Sequence, residues 1–293
     1  MEINMKKIAI LGCENSHAKA FLKFIKEKAE FSDVEVIGVY SDERAAAEKL
    51  NEKFGVPIMD SYSDAAGKID GLIITARHGD NHYKYAKPYI DSGIPMFIDK
   101  PITVSENEAV EFMRRLIENK VRISGGSSLK QDVFVRQLRK DAENNVGGAT
   151  VGGYVRAPYS RENEYGGFYF YSQHLVEMVC EIFGRFPLSV EAKQKGDMIH
   201  VLFRYENYDC VGLFCDRNYV YYASRMAESE AKSFAIPSTD DWFYEEFKEF
   251  YGILSGKEQS ISYEEFISPV FIMNAIERSL KRGKEEPVGR AKL

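Results

Sequence analysis

Ile8-Ala9-Ile10-Leu11-Gly12-Cys13-Glu14-Asn15-Ser16-His17 is the stretch that decides the fold. Four apolar residues with no polar alternation mark a strand buried on both faces. A glycine then permits a tight turn, and residues 18–29 follow with the spacing of an amphipathic helix. The same unit recurs downstream. Apolar runs at 34–39, 72–75, 96–98 and 121–124 alternate with amphipathic stretches at 43–54, 82–91 and 106–119. Asp42 precedes the second stretch as a candidate N-cap, and Ser105 with Glu108 has the spacing of a capping box. Pro88 falls inside the third stretch and predicts a kink there. Buried strands joined by helices predict a doubly wound α/β unit with a parallel sheet covered on both faces.

After residue 124 the rhythm changes. A helix at 132–143, the pair Gly147-Gly148, a strand at 150–155 and a helix at 173–183 lead into alternating segments at 188–192, 198–205, 209–215 and 219–224. Glu206-Asn207 and Arg217-Asn218 read as turns joining the last three into an antiparallel meander. Helices return at 241–254 and 264–281. This predicts an α+β second domain with an open antiparallel or mixed sheet. The expected division is a first domain over 1–124 and a second over 125–293, the last helix packing back on the first.

Charge argues against several partners. Lys and Arg number 39 against 45 Asp and Glu, a net charge of −6, and no basic patch of the kind nucleic acid needs stands out. No apolar run approaches the roughly 20 residues of a membrane span, and residues 1–7 lack the apolar stretch of a secretory signal. Cys13, Cys180, Cys210 and Cys215 fall in no CxxC or zinc-knuckle spacing, so a reducing, cytoplasmic setting is expected.

Candidate chemistry gathers at the carboxyl ends of the parallel strands, where this arrangement binds ligands. The turn after the first strand keeps only Gly12 of the dinucleotide fingerprint G-x-G-x-x-G, with Glu14 and His17 in the other two places. A pyrophosphate at the following helix start would use Gly12, Asn15, Ser16 and His17. A carboxylate at 14 is a physical conflict, since two like charges 4 Å apart repel by about 4 kcal/mol at an effective dielectric of 20. Either Glu14 turns aside, or a cation joins it, or the turn binds dinucleotide poorly. Ser41 and Asp42 stand where ribose is read, and an acid there favours NAD over NADP, while leaving NADP open. Thr75 ends the strand at 72–75. Glu14, His17, His78 and His82 form a candidate metal set by residue type alone. Lys100, in Phe97-Ile98-Asp99-Lys100-Pro101, sits directly after a buried strand with its ammonium at the ligand edge.

Ile98-Asp99-Lys100-Pro101 resembles the Glu-Lys-Pro signature of the Gfo/Idh/MocA oxidoreductases, the glucose–fructose oxidoreductase and inositol dehydrogenase family. Asp42-Glu43-Arg44-Ala45 through Phe54-Gly55-Val56, His82 through Gly93, and Ala275 through Ser279 with Gly283 are similar to its helices. The resemblance implies an N-terminal Rossmann domain, a C-terminal open-faced α/β domain, and homo-oligomers formed through that sheet. It implies NAD(P)-dependent hydride transfer to or from a sugar-like or polyol substrate. Gly166-Gly167-Phe168-Tyr169-Phe170-Tyr171-Ser172-Gln173-His174 is similar to the family's second catalytic segment, with Phe170 in place of its Asp. Carried over, Lys100 bridges substrate and cofactor, His174 exchanges the hydroxyl proton, Tyr171 and Gln173 meet substrate, and Thr75 lines the cofactor. Departures at Glu14, His17, Phe170 and Gly126-Ser127-Ser128-Leu129 leave two other readings standing. One is a sugar- or nucleotide-binding regulatory protein on the same fold; the other is metal-assisted lyase or hydrolase chemistry.

Overall fold

The computed structural model describes residues 5–239 and 241–293. The first half alternates as its apolar runs demand: β1 (Lys6–Leu11), α1 (Ser16–Glu27), β2 (Val34–Tyr40), α2 (Arg44–Phe54), β3 (Gly71–Ile74), α3 (Asp80–Ala86), β4 (Met96–Asp99), α4 (Glu106–Glu118) and β5 (Ile123–Gly126). The five strands form a parallel sheet in the order β2-β1-β3-β4-β5. At Pro88 the helix tightens, and Lys87–Ser92 continues as a 3₁₀ turn, the response expected when an i→i−4 bond is removed.

The second half runs α5 (Val133–Glu143), β6 (Thr150–Tyr159), α6 (Tyr169–Phe183), β7 (Ser189–Lys195), β8 (Met198–Arg204), β9 (Asp209–Asp216), β10 (Tyr221–Ala227), β11 (Ala231–Ile236), α7 (Asp241–Leu254), α8 (Tyr263–Arg282) and β12 (Glu286–Pro287). Its sheet has the order β11-β10-β6-β9-β8-β7-β12 and is mixed. The expected meander does not extend across Arg217-Asn218. β6 inserts between β9 and β10, parallel to the former and antiparallel to the latter. Turn signals define where a chain reverses, not which strand becomes its neighbour. β11 has no counterpart among the expected strands.

One face of the second sheet packs against α5, α6 and α8 around Val155, Val179, Val201, Phe203 and Phe214. The other face carries no helix, and Met198, Val211 and Met226 are exposed on it. α7 returns to the first sheet: Phe247, Phe250 and Ile253 share a core with Phe21, Phe31 and Phe97. α8 spans both domains, with Phe266 and Val270 in the core of the first and Ile272 and Ile276 in that of the second. Among the described residues, no helix is long and apolar enough to cross a membrane.

Candidate active site

β4 delivers Lys100 to the carboxyl edge of the parallel sheet. Its backbone N–H donates to Asp99 Oδ1 at 2.7 Å. The ammonium lies 4.7 Å from the centre of the Phe170 ring and 5.5 Å from that of Tyr171. Burial pushes its pKa below the ordinary lysine value; Asp99 and Glu246 oppose that shift and Arg77 adds to it.

The aromatic partners come from α6, which starts at Tyr169, four residues ahead of the helix expected at 173. No Ser, Thr, Asp or Asn caps it, and Phe168 stands at the N-cap, so the usual start signal is missing. The early start places Phe170, Tyr171 and His174 on one face, because residues three and four apart are helical neighbours. His174 Nδ1 lies 2.7 Å from Ser127 Oγ, a hydroxyl that also accepts from the Leu129 N–H at 3.3 Å. Burial, and then the charge of Lys100, hold the His174 pKa well below its ordinary value. The imidazole is therefore neutral at pH 7 and competent to accept a proton. Lys100 and His174 are only 4% and 8% exposed, and Tyr171 lies against both.

The loop from 160 to 168 lies beside them, with the Tyr165 ring 5.1 Å from that of Phe170. Tyr165 accepts from Arg77 Nη1 at 2.8 Å and reaches Glu43 Oε1 at 3.5 Å, joining the second domain to the exits of β2 and β3. The Arg77 guanidinium also stacks over the Tyr165 ring, 5.0 Å from its centre.

The turn after β1 is built to be compact. Gly12 has φ +73°, and a Cβ there would stand 2.3 Å from the Ala76 nitrogen. Asn15 caps α1 by accepting from the Ser16 N–H at 2.7 Å, and Ser16 is exposed beside it. The following amides of the first turn have no helical partner and point an electropositive end at the sheet's edge. Glu14 turns aside. Its Oε2 accepts from Ser41 Oγ at 2.7 Å and its Oε1 from the Arg77 N–H at 3.0 Å, so both oxygens are engaged without a cation. Asp42 is exposed and accepts from the Tyr40 hydroxyl at 2.6 Å. The turn and Asp42 thus fit a dinucleotide's pyrophosphate and ribose.

Several expected site residues face elsewhere. The Ser41 hydroxyl is occupied by Glu14 and by the Glu43 N–H, so it does not reach toward ribose. Asp42 does not cap α2; Glu43 holds that position, with no side-chain bond. Thr75 is fully buried and donates to the Gly12 carbonyl at 3.0 Å, bracing the turn from beneath. Gln173 lies on the other side of α6, fully buried between the Ile102 N–H and Glu177. Glu177 pairs with Arg185 at 3.0 Å.

The four residues of the metal set do not converge. His17 turns under the sheet edge, between Asp99 and Glu246 at 3.2 and 3.1 Å. His82 is buried between the carbonyls of Ala76 and Ile102, and His78 sits near Asp80. Among the described residues, no group of three His, Cys, Asp or Glu is arranged to hold a metal ion.

Sequence reasoning missed Ser127 and Glu246 as site residues. Only Glu246 left a signal: a lone acid on the apolar stripe of Phe243, Phe247, Phe250 and Ile253.

Residues 6–127 match the model of an oxidoreductase family with an NAD-binding Rossmann fold. No curated protein sequence matches the chain. Among solved structures, the chain is similar to a putative myo-inositol dehydrogenase from Sinorhizobium meliloti, at 17% identity and TM-score 0.83, covering 97% of this chain and 100% of that one. It is similar to scyllo-inositol dehydrogenase from Lactobacillus casei with bound NAD(H) and scyllo-inositol, at 14% identity and TM-score 0.83, covering 97% and 99%. It is also similar to GenD2 from gentamicin A biosynthesis in complex with NAD, at 12% identity and TM-score 0.85, covering 98% and 97%.

Proposed function

We propose, from the match of residues 6–127 to the NAD-binding Rossmann model of the Gfo/Idh/MocA oxidoreductases, that the protein is an NAD-dependent dehydrogenase of a sugar-like or polyol substrate. The observation that carries this reading is that one ring joins the two groups: Tyr171 lies 5.5 Å from the Lys100 ammonium and 5.2 Å from the His174 ring. A cyclitol is the leading substrate class, by likeness to the L. casei enzyme that holds scyllo-inositol.

NAD, when bound, accepts or returns a hydride at its nicotinamide ring. The chain's own residues do the rest. Gly12 keeps the turn tight, while Ser16 and the first-turn amides of α1 hold the pyrophosphate. Asp42 accepts from the ribose hydroxyls. Arg44, the residue nearest to reading a 2′-phosphate, is held by Asp60 at 3.0 Å, which supports NAD over NADP. Lys100 donates to the substrate oxygen. His174 takes the alcohol proton at Nε2, provided its own proton sits on Nδ1 with Ser127 accepting it. Tyr171 forms a wall of the substrate site. Substrate enters when the 160–168 loop lifts, breaking the contact of Tyr165 with Arg77.

A second copy of the chain is the partner we assign to the open sheet face, where Leu202 and Tyr154 flank Val211 in register. Isologous pairing of such a face removes exposed apolar surface. Light scattering that returns a monomer at micromolar concentration would remove this element alone.

The test of the main reading is calorimetric titration with NAD, NADH, NADP and NADPH, followed by turnover on inositols, aldoses and alditols. Micromolar to millimolar NAD(H) binding and turnover by at least one substrate are expected. Lys100→Met should keep NAD binding and lose about 10³ in rate, within the range for a positioned proton-transfer group. Absence of NAD(H) binding to the folded protein overturns the reading.

A further inference from the structure

Beneath Lys100 lies a row of buried ionisable side chains that the proposed reaction does not use. Asp99 and Glu246 are fully buried, and His17 between them is 3% exposed. His17 Nε2 lies 3.1 Å from Glu246 Oε2 and Nδ1 lies 3.2 Å from Asp99 Oδ2. Asp99 Oδ2 also accepts from Asn15 Nδ2 at 2.7 Å, and its Oδ1 faces the Lys100 N–H. Two atoms of this row lack an aligned hydrogen bond: His17 Nδ1, whose 3.2 Å approach to Asp99 Oδ2 is off line, and Glu246 Oε1. The row spans distant parts of the chain: His17 on the first turn of α1, Asp99 at the end of β4, Glu246 on α7.

We propose that Glu246, His17 and Asp99 form a proton-passing row in which His17 carries a proton between the two carboxyls and so sets the charge beside the Lys100 ammonium. A neutral imidazole presents one N–H and one bare nitrogen, and it faces a carboxyl at each end. With both carboxyls ionised, the bare nitrogen meets an anion. One extra proton in the row removes that clash, and burial of two carboxylates in one apolar pocket favours the same outcome. Burial pushes Glu246 well above the usual carboxyl range, Asp99 up to about 6 and His17 down to about 4, consistent with a proton on Glu246, a neutral His17 and an ionised Asp99 at pH 7.

The step balances as follows. The Glu246 Oε2–H bond breaks as His17 Nε2–H forms, and His17 Nδ1–H breaks as Asp99 Oδ2–H forms. The imidazole ends neutral in its other tautomer, and the negative charge has moved from Asp99 to Glu246. Lys130, whose charge bears on Glu246, is placed to receive it. This deepens, and rests on, the dehydrogenase reading: when Lys100 turns its ammonium to the substrate oxygen that His174 deprotonates, the charge of Asp99 is less compensated, and the row carries that charge away. The other titratable and charged groups that bear on the row are Arg77 after β3, His174 and Glu177 on α6, and Glu249 on α7.

The experiment uses the full chain without NAD or substrate. Infrared difference spectra between the wild type and Glu246→Gln at pH 7 should show an unionised carboxylic acid band that the variant lacks. Nitrogen-15 spectra of labelled histidine should show His17 singly protonated at Nδ1 through neutral pH. Asp99→Asn, which removes the acceptor at that end, should move the His17 proton to Nε2. A doubly protonated His17 with no acid band means a plain ion triad and overturns the proposal, as does a proton that stays on Nδ1 in Asp99→Asn. In the active enzyme, Glu246→Gln should shift a limb of the kcat pH profile by one unit or more while leaving KM within twofold. A purely structural Glu246 would leave the profile in place. Because the spectra need no turnover, absence of dehydrogenase activity leaves them standing, and their failure leaves NAD binding standing.

Discussion

The Lys100 ammonium sits over the Phe170 ring, 4.7 Å from its centre. The ring faces the ammonium without ionising, an attraction worth about 0.5–2 kcal/mol. Phe170 therefore holds the lysine in place while leaving its pKa depressed by burial. A carboxylate would hold it and raise that pKa.

Phe170→Asp separates those two effects. An opposite charge within about 4–6 Å moves a pKa by one to three units toward the charged form. The limb of the pH–rate profile that belongs to Lys100 should move up by about one unit or more. A limb that stays in place means the ring does not cover the ammonium in solution.

Ser127→Ala removes the partner of His174 Nδ1 and leaves a buried polar atom unpaired, at about 1–3 kcal/mol. The expected result is a tenfold to hundredfold fall in kcat with KM little changed, since the proton loses its acceptor only where the alcohol is deprotonated. Steady-state kinetics on the preferred substrate decide it. A larger effect on KM than on kcat would place Ser127 in binding instead.

Gly12→Ala meets two obstacles together. The φ of +73° is strained for alanine, and its Cβ would lie 2.3 Å from backbone that cannot yield without moving β3. A loss above about 2 kcal/mol in urea unfolding is expected, together with loss of stabilisation by NAD. Wild-type stability in this variant would show that the turn is open in solution.

Acid should unfold the protein early. Burial pushes His17 and His82 down to about 4 from an ordinary 6.5. Between those values the unfolded chain binds protons that the folded chain refuses, so this stability is complete above about pH 6.5 and is lost toward pH 4. Asp99, held up at about 6, works the other way: the folded state keeps its proton, which adds stability as pH falls from about 6 to 4. His174, held lower still, adds to the histidine loss and Glu246, held up, offsets it, leaving a net loss of about 1 kcal/mol per pH unit near pH 5. Urea midpoints at pH 7, 6 and 5 test the sign, and His82→Gln should flatten the slope.

The parallel sheet was legible because strands buried on both faces write continuous apolar runs, as at Ile8 to Leu11 and Met96 to Ile98. The start of α6 was not, because aromatic residues with no polar cap carry no start signal. Lys100 was singled out by its place directly after a buried strand and His174 by the resemblance; Tyr171 packs against both. Ser127 was not, since a serine in a loop gains its meaning only from what packs opposite it.

What residue order determined unaided was the alternation of elements and which side of each strand or helix is apolar, since both follow from backbone periodicity within a few residues. Where the polar groups point was decided only by tertiary packing. Glu14 swings to Ser41 and Arg77 instead of meeting a phosphate, and His17 reaches Glu246 across 229 positions of chain. A buried polar side chain must find a partner wherever folding brings one, and no local pattern records which distant residue that will be.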